Sequence, residues 1–442
     1  MEDKHIVALE IGSSKIRAVL GKIDNTNLTV VSVDQENLID GVRHGMIRNV
    51  EKVANTIDRI LERINNRIAP RVVTGVYVAI GGRSMCSVAR DVDRQLPEEM
   101  EITHLLIDEL KLEALSMAPR DKDVITAVPK QFTIDRVTVV HPVGEFGRSV
   151  AACFNLICCQ DKLRKNIERV ICEKLGLNVV DYIVRPIAEA DFVVSPDEKR
   201  LGCMFVDLGA ETTSVSIYRH GQLQYLVTLP LGSRLITRDI MSLNYLEEYA
   251  ETLKKTGGNA KPQGADNTNN MVAGVDFTQI NNYVSARASE IILNIKEQIR
   301  LADLSAQELP AGIIITGGGS RLGGFSERLE QLTGMRVRTG MPNMTLRISD
   351  GRISPVDMLD ILSVLRMASA NPKECLSAKT VPATPAAADI DDTPAAADPY
   401  EIPAKNTGKK PKKNGFFSRL KDKMSGMLVD PEENDDEFRD DE

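Results

Sequence analysis

The sequence is poor in the residues from which metal sites and disulfide frameworks are built. Its 442 residues include five His and seven Cys, and no two cysteines are spaced as a Cys-x-x-Cys pair. We therefore expect no metal site built from such residues. The cysteines are odd in number and scattered, and we interpret most of them as small buried hydrophobic residues in a reducing cytosol.

Long apolar segments are missing as well. No apolar run reaches 18 residues, so we expect no transmembrane helix. The first residues, MEDKHIVALE, lack a basic region followed by a long apolar core, so we expect no secretion signal. A composition of 42% hydrophobic and 27% charged residues is ordinary for a soluble globular protein. The length suffices for more than one domain or for one large bilobal unit.

The formal net charge of −8 belongs to the end of the chain and not to its body. After Val429 there are nine acidic residues and one basic residue, Arg439, and nine minus one accounts for the whole excess. The body is therefore close to neutral, and bulk charge gives no support for a nucleic-acid partner.

The segment Cys203–Tyr218 has the pattern of a β-hairpin whose turn can bind a ligand. A buried apolar strand leads into Asp207-Leu208-Gly209-Ala210-Glu211, and a Thr pair and an alternating strand follow. Backbone N–H groups and hydroxyls at such a turn can hold phosphate oxygens, and the acid can hold a metal through water. For one hairpin alone a purely structural turn is an equal alternative, because turns favour Gly and Asp for backbone reasons.

The same pattern occurs near the start of the chain, in His5–Gly21, where Glu10-Ile11-Gly12-Ser13-Ser14-Lys15 separates two apolar strands. This repetition suggests two similar lobes that face one ligand. A third, Gly-rich turn in Ile313–Phe325 follows a strand and is predicted to open a helix, which would bring the backbone close to a nucleotide. In this order the three turns resemble those of the actin-like ATPase superfamily, with two phosphate hairpins and an adenosine turn.

Helical periodicity is strong at Val50–Ile68 and Phe277–Leu301, and Ser354–Ala370 is predicted to be a final helix that packs on the first lobe. The segment Arg83–Leu156 does not continue the first lobe. It is predicted to contain a strand at Ser84–Val88, an acidic linker, a helix capped near Thr103 and further strands, which together form a small inserted unit.

Composition changes again towards the C-terminus. Ala, Pro, Thr and Asp dominate Asn371–Pro411, which we interpret as a flexible linker. Asn414–Val429 has the pattern of a short basic amphipathic helix that suits an anionic membrane surface, with a partner-binding helix or packing on the globular body as the alternatives. Its apolar side carries Phe416, Phe417, Leu420, Met424, Met427 and Leu428, and its bases are Arg419, Lys421 and Lys423.

The chain resembles the FtsA family of actin-like bacterial cell-division proteins over about Lys4–Ala370 and in the C-terminal helix. Phe132-Thr133-Ile134-Asp135 followed by His141-Pro142-Val143-Gly144 is similar to the family segment that ends in an NPVG-type turn. The inserted unit stands where the family has its 1C subdomain. The resemblance implies an α/β, bilobal actin-like ATPase fold with an inserted 1C-type subdomain, a disordered linker and a C-terminal amphipathic helix.

The domain boundaries that follow divide the chain into ten segments. The first lobe takes residues 1–82 with the first phosphate hairpin, the 1C-like insert takes 83–158, and 159–200 return to the first lobe. The second lobe consists of a 2A-like part at 201–231 with the second hairpin, a 2B-like subdomain at 232–301 and a further 2A-like part at 302–353 with the adenosine turn. The helix on the first lobe follows at 354–370, then the linker at 371–411, the amphipathic helix at 412–429 and the acidic tail at 430–442.

The resemblance implies ATP and Mg²⁺ as ligands. Asp207, with a catalytic role, and Glu10 would order Mg²⁺ through water. For Gln160 a water-orienting role stands beside the simpler interpretation of a polar residue at a helix start. The residues that would contact ATP are Glu10, Gly12, Ser13, Ser14 and Lys15 at the first hairpin, Asp207, Gly209, Thr212 and Thr213 at the second, Glu251 and Lys254 on an adenosine-contacting helix, and Gly317, Gly318, Gly319 and Arg321 at the Gly-rich turn.

Two departures from the family pattern concern the phosphate hairpins. Glu10 stands where actin has Asp, and Ala210-Glu211 replaces a common Gly-Gly pair. Ala210 would be strained if its φ were positive, and Glu211 would repel a γ-phosphate without an intervening cation. We therefore expect nucleotide binding with, at most, weak ATPase activity.

The family implies a peripheral protein on the cytoplasmic side of the membrane at the division site. Its partners would be FtsZ, further copies of itself in an oligomer or filament, an anionic membrane surface and other division proteins. An FtsA-like scaffold of a pilus or secretion machine is an alternative. An actin-fold sugar kinase is a weaker one, since the sequence has no evident cluster of sugar-binding polar residues.

Overall fold

The first lobe is built on a sheet whose central strands are apolar on both faces, as expected for strands covered by helices on either side. The computed structural model describes residues 3–24, 27–262, 271–272, 275–351 and 353–378. The predicted membrane helix, the acidic tail and most of the predicted linker lie outside these residues. The lobe begins with β1 (Lys4–Ile11), β2 (Lys15–Asp24), β3 (Asn27–Asn37), β4 (Val42–Arg43), β5 (Met46–Ile47), α1 (Val50–Ile68), β6 (Arg71–Val73) and β7 (Gly75–Ile80).

Helix α1 has the predicted bounds because strong local signals determine both its start and its buried face. The side chain of Asn49 accepts a hydrogen bond from the backbone N–H of Lys52 at 2.9 Å and so caps the first turn. The apolar residues Val53, Ile57 and Ile60, which share one face of the helix, are fully buried. The helix therefore covers one face of the first-lobe sheet.

The insert follows β7 and consists of β8 (Cys86–Glu101), α2 (His104–Ser116), β9 (Asp123–Ile134), β10 (Val137–Val139) and β11 (Phe146–Cys159). The predicted helix is confirmed, and the Thr103 hydroxyl accepts the N–H of Leu106. The predicted acidic linker is wrong, because these residues continue β8 and pair antiparallel with β11. The acids Asp91 and Asp93 flank the buried Val92 and are exposed, on the opposite face of the strand.

The chain then returns to the first lobe. Helix α3 (Asp161–Glu168) continues into a π-helical turn at Arg169–Lys174, and β12 (Asn178–Val184) joins β7 in parallel. Strand order in this sheet is β12-β7-β1-β2-β3, with one further strand beyond β3 described below. Two short helices, α4 (Arg185–Val193) and α5 (Pro196–Leu201), lead to the second lobe.

The second lobe has its own buried core around a sheet that is continuous with the insert. Strand order is β10-β9-β11-β8-β15-β14-β13-β18-β19, and β8 meets β15 at the pair Cys86–Val227. The elements are β13 (Cys203–Leu208), β14 (Thr213–Arg219), β15 (Gln222–Leu229), α6 (Arg234–Met241), α7 (Glu247–Gly257), β16 (Met271–Val272), β17 (Val275–Asp276), α8 (Phe277–Leu301), β18 (Ile313–Thr316), α9 (Phe325–Thr333) and β19 (Val337–Thr339).

The last elements pack back on the first lobe. Strand β20 (Arg347–Ile348) pairs with β3, so the chain returns earlier than the predicted boundary at residue 354. Helix α10 (Leu359–Ala368) packs on α4 and β1 as predicted. Strand β21 (Leu376–Ala378) pairs with β6, and Cys375 and Leu376 are buried. The linker therefore does not begin at Asn371, because residues 371–378 still belong to the folded body.

Among the residues that the structure describes, no helix is long and apolar enough to cross a membrane.

Candidate functional site

The two predicted hairpins and the Gly-rich turn converge on one cleft between the lobes, with a volume of about 1290 Å³. Of the fifteen residues predicted to contact ATP, all but Thr213 line it. The predicted residues that line it are Glu10, Gly12, Ser13, Ser14, Lys15, Asp207, Gly209, Thr212, Glu251, Lys254, Gly317, Gly318, Gly319 and Arg321.

The first hairpin turns tightly between β1 and β2. The N–H of Gly12 donates to the carbonyl of Lys15 at 3.0 Å, and a Cβ at Gly12 would lie only 2.9 Å from that oxygen. Ser13 Oγ accepts the N–H of Gly45 at 3.0 Å. Lys15 is half-buried, and burial, assisted by the charge of Arg17, lowers the pKa of its ammonium group. The turn thus presents a cation with few competing partners to the cleft.

The second hairpin repeats this geometry between β13 and β14. The N–H of Gly209 donates to the carbonyl of Thr212 at 2.8 Å, the same four-residue closure as in the first hairpin. Thr212 lines the cleft. Thr213 does not, because its side chain is buried and its hydroxyl donates to the carbonyl of Leu231 at 2.6 Å. The predicted phosphate contact of Thr213 is therefore not supported by its position.

The residues that depart from the family pattern fit the turn without the expected conflict. Ala210 does not have a positive φ, so the predicted strain is absent there. Glu211 is buried, and its Oε1 lies 2.7 Å from Nη1 of Arg234. Its Oε2 accepts the N–H of His44, a first-lobe residue, at 2.6 Å. Glu211 therefore has its own cation and connects the lobes, which corrects the expectation of a free negative charge in the cleft.

The Gly-rich turn requires glycine where β18 passes beside β13. Gly317 has φ +89°, and a Cβ there would lie 2.3 Å from the carbonyl oxygen of Leu208 and 2.5 Å from Oδ1 of Asp207. A short 3₁₀ helix at Gly318–Arg321 follows, and α9 begins only at Phe325. The turn thus brings backbone directly against the second hairpin.

Glu251 and Lys254 lie one turn apart on α7, as predicted, and bind each other. Lys254 Nζ is 2.6 Å from Oε2 of Glu251 and donates to Oγ1 of Thr237 at 2.9 Å. Burial lowers the pKa of Lys254 although the carboxylate opposes the shift. Burial would raise the pKa of Glu251, but the neighbouring ammonium group prevails and lowers it. This pair forms a fixed polar wall of the cleft.

The sequence analysis missed Arg185, the first residue of α4. Its Nη2 lies 2.8 Å from Oδ2 of Asp207, its Nη1 lies 2.9 Å from Oε1 of Glu189, and Glu10 Oε1 is 3.9 Å from Nη1. Burial lowers the pKa of this guanidinium, but the surrounding carboxylates, Asp207 first, raise it overall, so it remains charged. A usable signal was present in Arg185-Pro186-Ile187-Ala188-Glu189, where two opposite charges four residues apart interrupt a buried helix.

Two buried groups around Arg185 complete this cluster. Burial and the charge of Asp207 raise the pKa of Glu189, which favours its neutral form. Arg17, on β2, donates to Oε2 of Glu10 at 3.2 Å and also binds Asp360 at the start of α10. The predicted acids are therefore held by arginines from the first lobe.

The predicted catalytic residue Gln160 lies away from this cluster. It is exposed at the start of α3, and its backbone N–H donates to Oγ of Ser84 at 3.0 Å. It does not line the cleft. The structure gives it no position from which to orient water at the hairpins.

The side chains at the predicted Mg²⁺ site do not fit a divalent ion. Mg²⁺ needs octahedral oxygen ligands and usually keeps several waters. Asp207 Oδ2 forms an ion pair with Arg185 at 2.8 Å, although it accepts no hydrogen bond, and Glu10 Oε2 is paired with Arg17. Within the described residues, no group of three or more His, Cys, Asp or Glu could hold a metal ion by itself. A Mg²⁺ ion bound with a nucleotide needs only one or two carboxylates besides the phosphates, so what disfavours the ion here is the arginine beside each acid.

Comparison with known proteins agrees with this architecture. A family model described as "Cell division protein FtsA" matches residues 204–357, and one described as "SHS2 domain inserted in FTSA" matches residues 82–158. The chain is 30% identical over 341 residues to the cell division protein FtsA of Porphyromonas gingivalis, which covers 74% of this chain and 70% of the relative. It is 25% identical over 362 residues to the cell division protein FtsA of Escherichia coli, and the match covers 77% of this chain and 84% of that relative.

Among solved structures, a chain of a PilM-PilN type IV pilus biogenesis complex is similar with a TM-score of 0.56 and 18% identity, covering 83% of this chain and 99% of that one. This likeness concerns the fold alone. A bilobal α/β body with matching hairpins and a Gly-rich turn around one cleft is the actin-like ATPase fold. The inserted subdomain and the similarity over most of the length then define the family: the chain belongs to the FtsA family of cell-division proteins.

Proposed function

We propose that this chain is an ATP-binding division protein that self-associates and tethers an FtsZ ring to the cytoplasmic face of the membrane. The observation that carries the nucleotide part is the convergence of two hairpins of equal geometry and one Gly-rich turn on a single cleft. The cleft is larger than the roughly 300–1,000 Å³ typical of small-molecule pockets, so a nucleoside triphosphate fits its size.

The phosphates would lie between the two hairpins. The half-buried ammonium group of Lys15 faces the cleft beside the N–H groups of the first turn, and Thr212 faces it from the second. Such N–H groups and cations are suited to phosphate oxygens. The adenosine would lie over Gly317–Gly319 with the Glu251–Lys254 pair at its side, because only glycine backbone allows so close an approach.

Lys15→Ala tests this arrangement. The alanine removes one cation from the cleft, so ATP should bind about tenfold more weakly, as measured by equilibrium binding of ATP. Lys22→Ala is the matched control, because Lys22 lies on the same strand but pairs with Asp3 at its far end. Equal loss in both variants, or no ATP binding by the unmodified chain, would overturn the proposal.

The tether proposal rests on the sequence of Asn414–Val429, which lies outside the described residues, and on membership of the FtsA family. The intact chain should sediment with anionic vesicles and bring purified FtsZ with it. A variant that lacks residues 414–429 but keeps the acidic tail should stay in the supernatant and still bind ATP. Unchanged sedimentation of that variant would contradict membrane anchoring by this segment.

A further inference from the structure

The floor of the cleft contains a buried cation that belongs to the protein itself. Arg185 comes from the first lobe, and its partner Asp207 comes from the second. The Arg185 side chain is only 14% exposed, yet it lines the cleft together with both phosphate hairpins. Its guanidinium thus stands where nucleotide phosphates would approach the lobes.

This position is the one that the sequence assigned to Mg²⁺. The ion was expected at Glu10 and Asp207, and Arg185 lies between them, 3.9 Å and 2.8 Å from their nearest oxygens. The other oxygen of Asp207 faces the Gly317 backbone, where a Cβ would lie 2.5 Å away. A divalent ion would therefore have to compete with a fixed positive charge for the same carboxylate.

The guanidinium can still bind a phosphate while it holds these acids. It carries five N–H donors, and close contacts use one terminal nitrogen for Asp207 and the other for Glu189. The fork geometry of arginine matches phosphate oxygens, and its charge cannot be lost by deprotonation. A fixed arginine can therefore provide phosphate with both charge and donors.

We propose that Arg185 replaces the divalent metal in this cleft, so that the chain binds ATP in the absence of Mg²⁺. The inference rests on the proposed ATP binding and concerns how the triphosphate charge is balanced. It also assigns Arg185 as a nucleotide-contacting residue that connects the two lobes through Asp207.

The test compares ATP affinity in excess Mg²⁺ and in excess EDTA for the full chain and its variants. The unmodified chain should change its affinity less than about threefold between the two conditions, whereas Arg185→Gln should lose about tenfold or more in EDTA. Arg338→Gln is the control, since Arg338 forms a close ion pair with Glu198 outside the cleft, although this pair is more exposed. It should behave like the unmodified chain.

A double variant, Arg185→Gln with Glu189→Gln, guards against unfolding of the single variant, because it also removes the buried carboxyl group that would otherwise lose its arginine partner. Far-UV circular dichroism would establish that it is folded, and it too should need Mg²⁺ for ATP binding. If the unmodified chain binds ATP in excess Mg²⁺ but not in EDTA, the inference about Arg185 is overturned, while the proposed ATP binding still stands. Equal tolerance of EDTA in all variants would also overturn it, whereas no ATP binding in any condition would defeat the proposed function itself.

Discussion

Replacing Glu211 by alanine should weaken the contact between the lobes at the second phosphate hairpin. Oε2 of Glu211 accepts the N–H of His44 at 2.6 Å, and Oε1 lies 2.7 Å from Nη1 of Arg234. Both bonds end on a carboxylate, and hydrogen bonds to charged groups contribute roughly 1.5–3 kcal/mol each. Their simple sum is an upper bound for the effect.

Two features of the surroundings reduce this sum. The side chain of Arg234 is 20% exposed and keeps Glu247 as a second partner at 3.6 Å, so it loses less than a fully buried ion would. His44 is half-buried, and water can reach its freed N–H. We therefore expect Glu211→Ala to lower the free energy of unfolding by about 2–3 kcal/mol. Glu211→Gln keeps an acceptor oxygen and should cost about 1 kcal/mol.

Urea unfolding followed by far-UV circular dichroism measures this loss in a chain without tryptophan. The loss of stability should appear as a lower urea concentration at the midpoint of unfolding, while the dependence of the free energy on urea stays unchanged. Glu247→Ala is the matched control, because it removes an exposed acid from the same arginine and should change stability by less than about 0.5 kcal/mol. If Glu211→Ala unfolds at the midpoint of this control, the reasoning that Glu211 connects the lobes is refuted.

Three other measurements test further details. Gly317→Ala should lower the melting temperature more than Gly144→Ala, since both glycines have φ near +90° but a Cβ has open space only at Gly144; equal shifts would contradict this. Iodoacetamide at about pH 8 should modify exposed Cys172 well before Cys203, because burial raises the pKa of the Cys203 thiol to about 12. Mass spectrometry measures the order of modification, and earlier modification of Cys203 would contradict this prediction. The pKa of Glu251 is lowered in the fold, so its contribution to stability is present above the ordinary pKa of 4.5 and is lost as the pH falls through its lowered pKa. Glu251→Gln should therefore make the free energy of unfolding depend less on pH in this acidic range. An unchanged pH dependence would contradict this prediction.

The sequence predicts those parts of the fold that local signals specify. The bounds of Val50–Ile68 and Phe277–Leu301 agree with the observed elements, because a side-chain cap and a clear apolar period determine both of them. The cleft residues of the two hairpins were found for a similar reason, since tight turns require Gly and small polar residues at fixed places. Here local sequence and tertiary structure agree.

The errors arise where long-range pairing decides the structure. The acidic part of Cys86–Glu101 has weak strand propensity and becomes a strand only because β11 pairs with it. Arg185 was missed because its partner Asp207 is distant in sequence: the Arg185–Glu189 pair marks a charged site on a buried helix but does not show that this site lies in the cleft. Glu211 was judged by its charge alone, while its cation lies on α6.

The position of the insert follows from the same long-range pairing and bears on how the cleft can move. The chain enters and leaves the insert through the first lobe, and Arg164 of α3 binds Asp123 of the insert, yet buried hydrogen bonds also join the insert to β15 of the second lobe. Asn155, which is buried, donates to the carbonyls of Leu223 and Gln224 at 2.6 and 3.3 Å, and the N–H of Leu226 donates to Oγ of Ser87 at 2.9 Å. A change in the angle between the lobes must therefore either carry the insert with the second lobe or break these bonds. Breaking them would leave the buried amide of Asn155 unpaired, which costs free energy. At the two connections Met85 and Cys159 are buried in the first-lobe core, so the insert is anchored to both lobes.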